Sequence, residues 1–526
     1  MRNENIVRLA RETFDLVIIG GGITGAGIAQ DAAARGLKVA LVERKDFASG
    51  TSSKSSKLIH GGLRYLKQLD IGVTRESCAE RNRLLKLAPR LVKPLRFLFP
   101  LYRGRTSGWL ARLGLMAYDR IAGSKGLEPH HHITTDEAMR LVPLLRSAAL
   151  NGGLVYQDAM TDDARLTITV IKSAMQFGAV IANYAEVIGL RKTGDRVCGI
   201  AVRDTISGDE FDVRANVVIN ASGVWIDQIR ALDGNQNQQA VKPSKGIHII
   251  LPQDTLNNQI AVVLTSTRDK RMMFAIPWQD VTVVGTTDTF YHGDLNAPRA
   301  EAQDIDYVLE TIGDAFDIEV KREQIISTYA GLRPLVSEGS GTPSDLSRKH
   351  KIFESSSGLI TIAGGKLTSY RKMAADIVDL VARRVPGTGP CITAQVPLFA
   401  GDALQEDLLR SNLDPEVAAH LNERYGADAV KVLETVKADP RLSEKIIKRL
   451  PYIKAEIIYA LRYEMAMTLE DMLARRTRII LQDRTNGLCC AEEVSHIMAS
   501  ELRWSEPERA RQLDSYTTQA RLHNVP

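Results

Sequence analysis

The sequence predicts an α/β fold: a doubly wound sheet, a second and mostly antiparallel sheet threaded through it, and an all-helical C-terminal region. Three observations predict it. A strand, a glycine turn, a helix and a second strand open the chain between Phe14 and Glu43. Two more apolar runs, Val217–Asn220 and Leu359–Ala363, end on small residues but lie far along the chain. In the C-terminal quarter the composition shifts to Leu, Ala, Glu and Arg at helical spacing.

Length and composition bound the reading. The 526 residues suffice for several domains with large cores. Hydrophobic residues at 44% and charged residues at 25% are ordinary for a globular chain. That mix excludes a mainly disordered chain, a collagen and a multi-span membrane protein. No uncharged apolar run reaches the roughly 18 residues of a transmembrane helix. Met1 to Thr13 is polar and lacks the apolar core of a signal peptide, so a cytoplasmic location is expected. Net charge is +5, from 68 basic and 63 acidic residues, too balanced for a nucleic-acid binder. Cys78, Cys198 and Cys391 are isolated and Cys489 and Cys490 adjacent. No CxxC spacing exists, and no metal site is expected.

In chain order, Phe14–Gly20 reads as a buried parallel strand, Ile23–Arg35 as an Ala-rich helix and Leu37–Glu43 as a second strand, a βαβ unit. Val217–Asn220 runs into Ala221-Ser222-Gly223. Leu359–Ala363 runs into Gly364-Gly365 and a helix from Thr368 toward Arg384. If these strands share one sheet, the nucleotide-binding domain is discontinuous, built from 12–85, 150–240 and 325–385. The second domain then takes 86–149 and 241–324, with strand-like runs at Ile247–Leu251, Met272–Ile276 and Val281–Val284. Val385–Pro390 reads as a linker, and 395–526 as a separate helical domain.

The first turn carries a dinucleotide fingerprint, Gly20-x-Gly22-x-x-Gly25, with Glu43 at the end of the next strand. Gly20 permits the tight turn, Gly22 lets backbone approach a pyrophosphate, and Gly25 allows close helix–strand packing. The helix N-terminus offers free N–H groups to the phosphates. Glu43 can accept hydrogen bonds from ribose hydroxyls, and its charge argues against NADP. Thr51 to Lys57 supplies hydroxyls and lysines for a pyrophosphate and ribityl chain. Gly364-Gly365 adds a second helix start, suited to negative charge on a reduced flavin. The residues favour FAD over NAD.

At these positions the chain resembles the FAD-dependent glycerol-3-phosphate dehydrogenase family in its bacterial aerobic, respiratory form. Two stretches carry the resemblance, Ile19–Gly36 (IGGGITGAGIAQDAAARG) and Gly364–Ala374 (GGKLTSYRKMA). Between them stand Ser55–Tyr65 (SSKLIHGGLRY), Lys245–His248 (KGIH), Gly285–Asp288 (GTTD) and Gly331–Pro334 (GLRP), in the family's order. The resemblance implies a glutathione-reductase-type FAD fold. It implies oxidation of sn-glycerol 3-phosphate to dihydroxyacetone phosphate, with electrons passed to ubiquinone at the inner face of the cytoplasmic membrane. Carried over residue by residue, it implies FAD contacts from Gly20, Gly22, Ile23, Thr24, Gly25, Glu43, Thr51, Ser52, Ser56, Lys57, Leu58, His60, Val187, Gly223, Gly365, Lys366, Leu367 and Thr368. It implies a substrate pocket of Arg64, Tyr65, His248, Arg333, Arg348 and Lys366.

Such a substrate needs a cation clamp for its phosphate and a proton acceptor at its secondary alcohol. Arginine offers phosphate a planar fork, and the proline after Arg333 holds that residue extended. His248 lies in an apolar run and is either a satisfied core histidine or the general base, since imidazole titrates near working pH. Arg333 in a polarising role is the competing candidate. An oxidase using O2, or a flavin enzyme for another small hydroxy or amino acid, is the alternative.

Three other stretches stand out. His130-His131-His132 reads as surface rather than metal site. Asp162-Asp163 reads as a helix N-cap. Pro89–Ala122 mixes arginines with aromatics and leucines, which suits a peripheral contact with anionic lipid. A homodimer is expected, and the C-terminal helices could build its interface, shield the site or approach the membrane.

Overall fold

The computed structural model describes residues 1–62, 70–104, 108–123, 127–234, 239–337, 349–398 and 411–526. Arg64, Tyr65 and Arg348 lie outside the described residues.

The first sheet runs Lys351–Glu354, Ile360–Ala363, Glu210–Asn220, Thr13–Ile19, Val39–Val42, Val180–Ala182, and the last five of these strands are parallel. Ile19 pairs with Asn220 and Val42, and Asn220 with Thr361, so the distant runs do share one sheet. The opening strand reads as continuously apolar because both its faces are covered. Leu16 and Ile18 join the cluster formed by helices Ile23–Ala34, Asp163–Gln176 and Tyr370–Ala382. Val17 and Ile19 join the opposite cluster, beside the hairpin Ala185–Thr193 and Arg196–Asp204. Met1–Thr13, read from sequence only as polar, contains helix Arg2–Arg11, held by Arg2 on Asp204 at 2.7 Å.

The second sheet has ten strands and gathers more of the chain than the sequence suggested. Leu150–Met160 and Ser327–Val336, expected in the nucleotide-binding part, belong to it. The first pairs along Lys93–Tyr102, the second along Val241–Pro252. Even Leu58–Ile59 pairs into this sheet. Pairing between residues 48 positions apart (Tyr102 with Leu150) to 95 apart (Val241 with Val336) has no local signature, so the boundaries drawn at 150 and 325 part these strands from their partners.

The C-terminal region is helical, from Pro415–Tyr425 to Glu506–Arg521. It packs against both sheets. Tyr452, Leu473, Ile479 and Tyr516 share one buried cluster with Phe97, Tyr156, Trp278 and Tyr329 of the second sheet. Buried ion pairs tie it to the first sheet's side: Asp46 with Arg475 at 2.6 Å and Arg476 at 2.7 Å, and Arg165 with Glu464 at 2.5 Å.

The basic, aromatic stretch Pro89–Ala122 splits in two. Its first half is a core strand with Phe97, Leu98 and Leu101 buried, so those residues cannot meet lipid. Its second half is helix Gly108–Ala122, which buries Leu115 and Tyr118 and exposes Trp109 (67%), Leu110 (59%), Leu113 (51%) and Met116 (46%). Among the described residues no helix is long and apolar enough to cross a membrane.

Candidate active site

Two cavities meet where the sheets join. The first opens over the carboxyl ends of the parallel strands and measures about 300 Å³. Its floor is the glycine turn. Gly20 has φ +115°, and a Cβ there would lie 2.7 Å from the Ala221 carbonyl oxygen. A Cβ on Gly25 would lie 1.9 Å from the Gly20 carbonyl oxygen. Gly22 caps helix Ile23–Ala34 without a side-chain acceptor, leaving its first N–H groups to the cavity and to Ser52, whose Oγ accepts from Ile23 N at 2.9 Å. Glu43 accepts from Gly21 N at 2.7 Å and Lys45 N at 2.9 Å, which anchors the carboxylate and leaves lone pairs for further donors. Burial raises its pKa against the pull of those two N–H groups. The indole N–H of Trp225, on this cavity's wall, is buried with no partner among the described residues.

Of the residues expected to hold a dinucleotide, Gly20, Gly22, Ile23, Thr24, Glu43, Thr51, Ser52, Val187, Gly223, Gly365, Lys366 and Leu367 line this cavity. Ser56, Leu58, His60 and Thr368 line its neighbour instead, with Thr368 Oγ1 accepting from His60 N at 3.1 Å. Gly25 lines neither and serves helix packing. Lys57 turns its side chain away from both. Its ammonium is fully buried 3.2 Å from Asp163 Oδ1, over the rings of Trp278 and Tyr329, and reaches neither cavity. Burial pushes its pKa down to about 8.

The second cavity, about 490 Å³, shares Thr51, Ser52 and Gly364–Leu367 with the first. It is lined by Lys54, Lys270, Arg271, Arg333 and Lys366 against two acids, Asp158 and Asp288. Both acids are engaged: Asp158 by Arg81 at 2.5 Å and Tyr118 at 2.7 Å, Asp288 by Arg333 at 3.2 Å. The excess charge facing the space is therefore positive. Arg333 is aimed by Thr286 Oγ1 at 3.1 Å and the Thr287 carbonyl at 3.3 Å. Gly246 makes room for it, since a Cβ there would lie 2.5 Å from the guanidinium. Lys366 Nζ donates to Ser77 Oγ at 2.9 Å.

His248 sits on the wall of this cavity with Nε2 at 2.8 Å from Ser56 Oγ. Its pKa lies well below the usual imidazole value, through burial first and then the charges of Arg333 and Lys57. Nδ1 has no partner among the described residues; the proton-accepting tautomer carries its hydrogen there and keeps the Nε2 lone pair toward Ser56 Oγ. The ring is thus neutral and able to accept a proton.

Lys270, Arg271, Trp225 and Asp158 were not singled out from sequence. Lys270 and Arg271 end a hairpin just before Met272–Trp278, and only strand pairing brings that tip to the cavity. The two acids behave otherwise. Asp162 caps helix Asp163–Gln176, accepting from Ala164 N at 3.1 Å and Arg165 N at 3.2 Å, whereas Asp163 reaches Ser55 and Lys57. His131 and His132 are exposed, and His130 Nδ1 lies 2.5 Å from Asp119.

The family described as FAD dependent oxidoreductase matches residues 15–371, and the C-terminal domain of alpha-glycerophosphate oxidase matches 391–509. Glycerol-3-phosphate dehydrogenase 2 of Mycobacterium tuberculosis is 43% identical over 97% of this chain and 88% of its own length. The aerobic glycerol-3-phosphate dehydrogenase of Bacillus subtilis is 40% identical over 96% of this chain and 94% of its own. Among solved structures, glycerol-3-phosphate dehydrogenase from Bacillus halodurans, complexed with FAD, superposes with a TM-score of 0.83 at 31% identity, covering 100% of this chain and 98% of that one.

Proposed function

From a chain that belongs to the FAD-dependent oxidoreductase family, among the glycerol-3-phosphate dehydrogenases, and that takes FAD as its cofactor, we propose the oxidation of sn-glycerol 3-phosphate to dihydroxyacetone phosphate, with ubiquinone as the electron acceptor. One observation carries the reading: a buried imidazole and a surplus of cations line a cavity that shares its wall with the dinucleotide cleft.

FAD, when bound, supplies the acceptor for the two electrons and the hydrogen leaving the substrate's C2. The chain does the rest. Arg333, Lys366, Lys270 and Arg271 supply positive charge for the phosphate dianion, and the arginine fork orients it. Arg64, Tyr65 and Arg348 remain part of the proposed pocket on the family motif. His248 accepts the C2 hydroxyl proton at Nε2, the nitrogen shared with Ser56. Arg333 favours the developing alkoxide and disfavours a protonated His248 beforehand. Glu43 and the free N–H groups of helix Ile23–Ala34 fit the ribose and pyrophosphate.

A quinone acceptor calls for a membrane surface, and helix Gly108–Ala122 supports one. Its exposed Trp109, Leu110, Leu113 and Met116, flanked by exposed Arg112 and Arg120, suit shallow burial in anionic lipid at the inner face of the membrane. A homodimer is part of the same reading.

The test is anaerobic reduction of the purified holoprotein. sn-Glycerol 3-phosphate should bleach the visible flavin band, and a soluble quinone analogue should restore it faster than air does. Fast reoxidation in air with peroxide would make the protein an oxidase, and a flavin that the substrate leaves untouched would end the substrate assignment.

A further inference from the structure

We propose that Arg478, on the C-terminal helical region, is a positioning residue for the loop Ser53–Lys57 and, through it, for His248. The proposal rests on the role of His248 given above.

The connection is made of direct hydrogen bonds. Arg478 Nη2 donates to the Ser53 carbonyl at 2.9 Å and to Asp163 Oδ1 at 2.8 Å. Asp163, fully buried, accepts at Oδ2 from Ser55 N at 2.8 Å and from Ser55 Oγ at 2.7 Å. Ser55 Oγ in turn accepts from Lys57 N at 3.0 Å. The next residue, Ser56, meets His248 Nε2, and the Ser55 carbonyl accepts from Tyr329, whose ring stacks on His248. The imidazole is therefore seated on groups whose places Asp163 and Arg478 set.

Two features separate this from general glue between domains. The Arg165–Glu464 and Asp46–Arg476 pairs already bind the helical region to the nucleotide-binding part without touching residues 53–57. Arg478 and Lys57 both hold left-handed backbone conformations, φ +70° and +60°, rare for side-chain-bearing residues. The chain tolerates that backbone where it aims two cations at one carboxylate. Asp163 must also balance both, so removing Arg478 changes the field around Ser55 as well as its geometry.

The experiment compares full-length holoproteins: wild type, Arg478→Met, Arg478→Lys and Glu464→Gln. Stopped-flow flavin reduction by sn-glycerol 3-phosphate and amide hydrogen exchange of the peptide spanning 51–58 are the readouts. Arg478→Met should keep its FAD, hold half-saturation within about threefold and slow reduction by about 10–100-fold, the cost of a misplaced reacting group. Its loop should exchange faster. Arg478→Lys should fall between, and guanidinium ion should partly restore Arg478→Met. Glu464→Gln should leave both readouts near wild type. Equal reduction rates in wild type and Arg478→Met, or equal losses in Glu464→Gln, would overturn the proposal. If Arg478→Met does not fold, Ser55→Ala must show the same pattern, and wild-type behaviour there overturns it too. A wild-type flavin that the substrate does not bleach counts against the function instead, while the exchange comparison still decides whether Arg478 holds the loop.

Discussion

The imidazole of His248 lies nearly parallel to the ring of Tyr329, with centroids 4.7 Å apart and 11° between planes. The two residues are cross-strand partners, on Val241–Pro252 and Ser327–Val336. Tyr329 covers one face of the imidazole and spends its hydroxyl on the Ser55 carbonyl, so the histidine is held from its face and from Nε2 together. A ring held this way has little freedom to reorient when it takes a proton.

His248→Gln should therefore leave FAD bound and reduce the flavin-reduction rate by about 10²–10⁴-fold, the usual contribution of a positioned general base. Single-turnover reduction at saturating substrate measures it. A loss below tenfold would hand the base to another group.

The pH dependence follows from the depressed pKa of His248. The base must be neutral, and burial, then Arg333 and Lys57, disfavour the protonated ring. Activity should persist below pH ~6.5, the ordinary imidazole value, and fall only as pH drops through the lower folded value. Arg333→Met should shift that acid limb upward. Stability follows the same sign: the unfolded chain takes up this proton first, so the folded state loses ground as pH falls below about 6.5. An acid limb at or above the ordinary value in wild type would refute the account.

Glu43→Ala removes the acceptor of two backbone N–H bonds at the dinucleotide turn. Hydrogen bonds to a charged group are worth about 1.5–3 kcal/mol each, so FAD affinity should fall by at least about tenfold. Titration of apoprotein with FAD reads this directly. Unaltered affinity would mean that the turn holds its shape without the carboxylate.

The double variant Trp109→Asp, Leu113→Asp places charge on the exposed face of helix Gly108–Ala122. Each large apolar side chain is worth about 1.5–3 kcal/mol on burial, so partition onto anionic vesicles should drop by about 100-fold or more. Flavin reduction in solution should stay unchanged, because neither residue lines the two cavities. Equal vesicle binding by both proteins would move the membrane contact elsewhere.

The dinucleotide half was legible in the sequence because its signals are local. Gly20, Gly22 and Gly25 sit at spacings that one turn dictates, and Glu43 ends the next strand, so a single βαβ unit carries the argument. The family motifs then placed His248, Arg333 and Lys366, which the structure brings to one cavity. The same reasoning could not show that the Lys57 ammonium meets Asp163, because a lysine in a hydroxyl-rich loop reads alike whether it faces a phosphate or a buried carboxylate. It also misread half of Pro89–Ala122, since an arginine between aromatics looks alike on a core strand and on a lipid-facing helix.

By itself the sequence determined the α/β class, the dinucleotide turn, the helical C-terminal region and the family, because each rests on neighbours or on fixed short spacings. Only the tertiary structure decided which strands make the second sheet, that the hairpin tip at Lys270 and Arg271 faces the second cavity, and that Arg478 reaches Asp163 across more than 300 positions. Those contacts depend on strand register and on which buried charges find each other, and both are settled by packing of the whole chain rather than by any stretch of it.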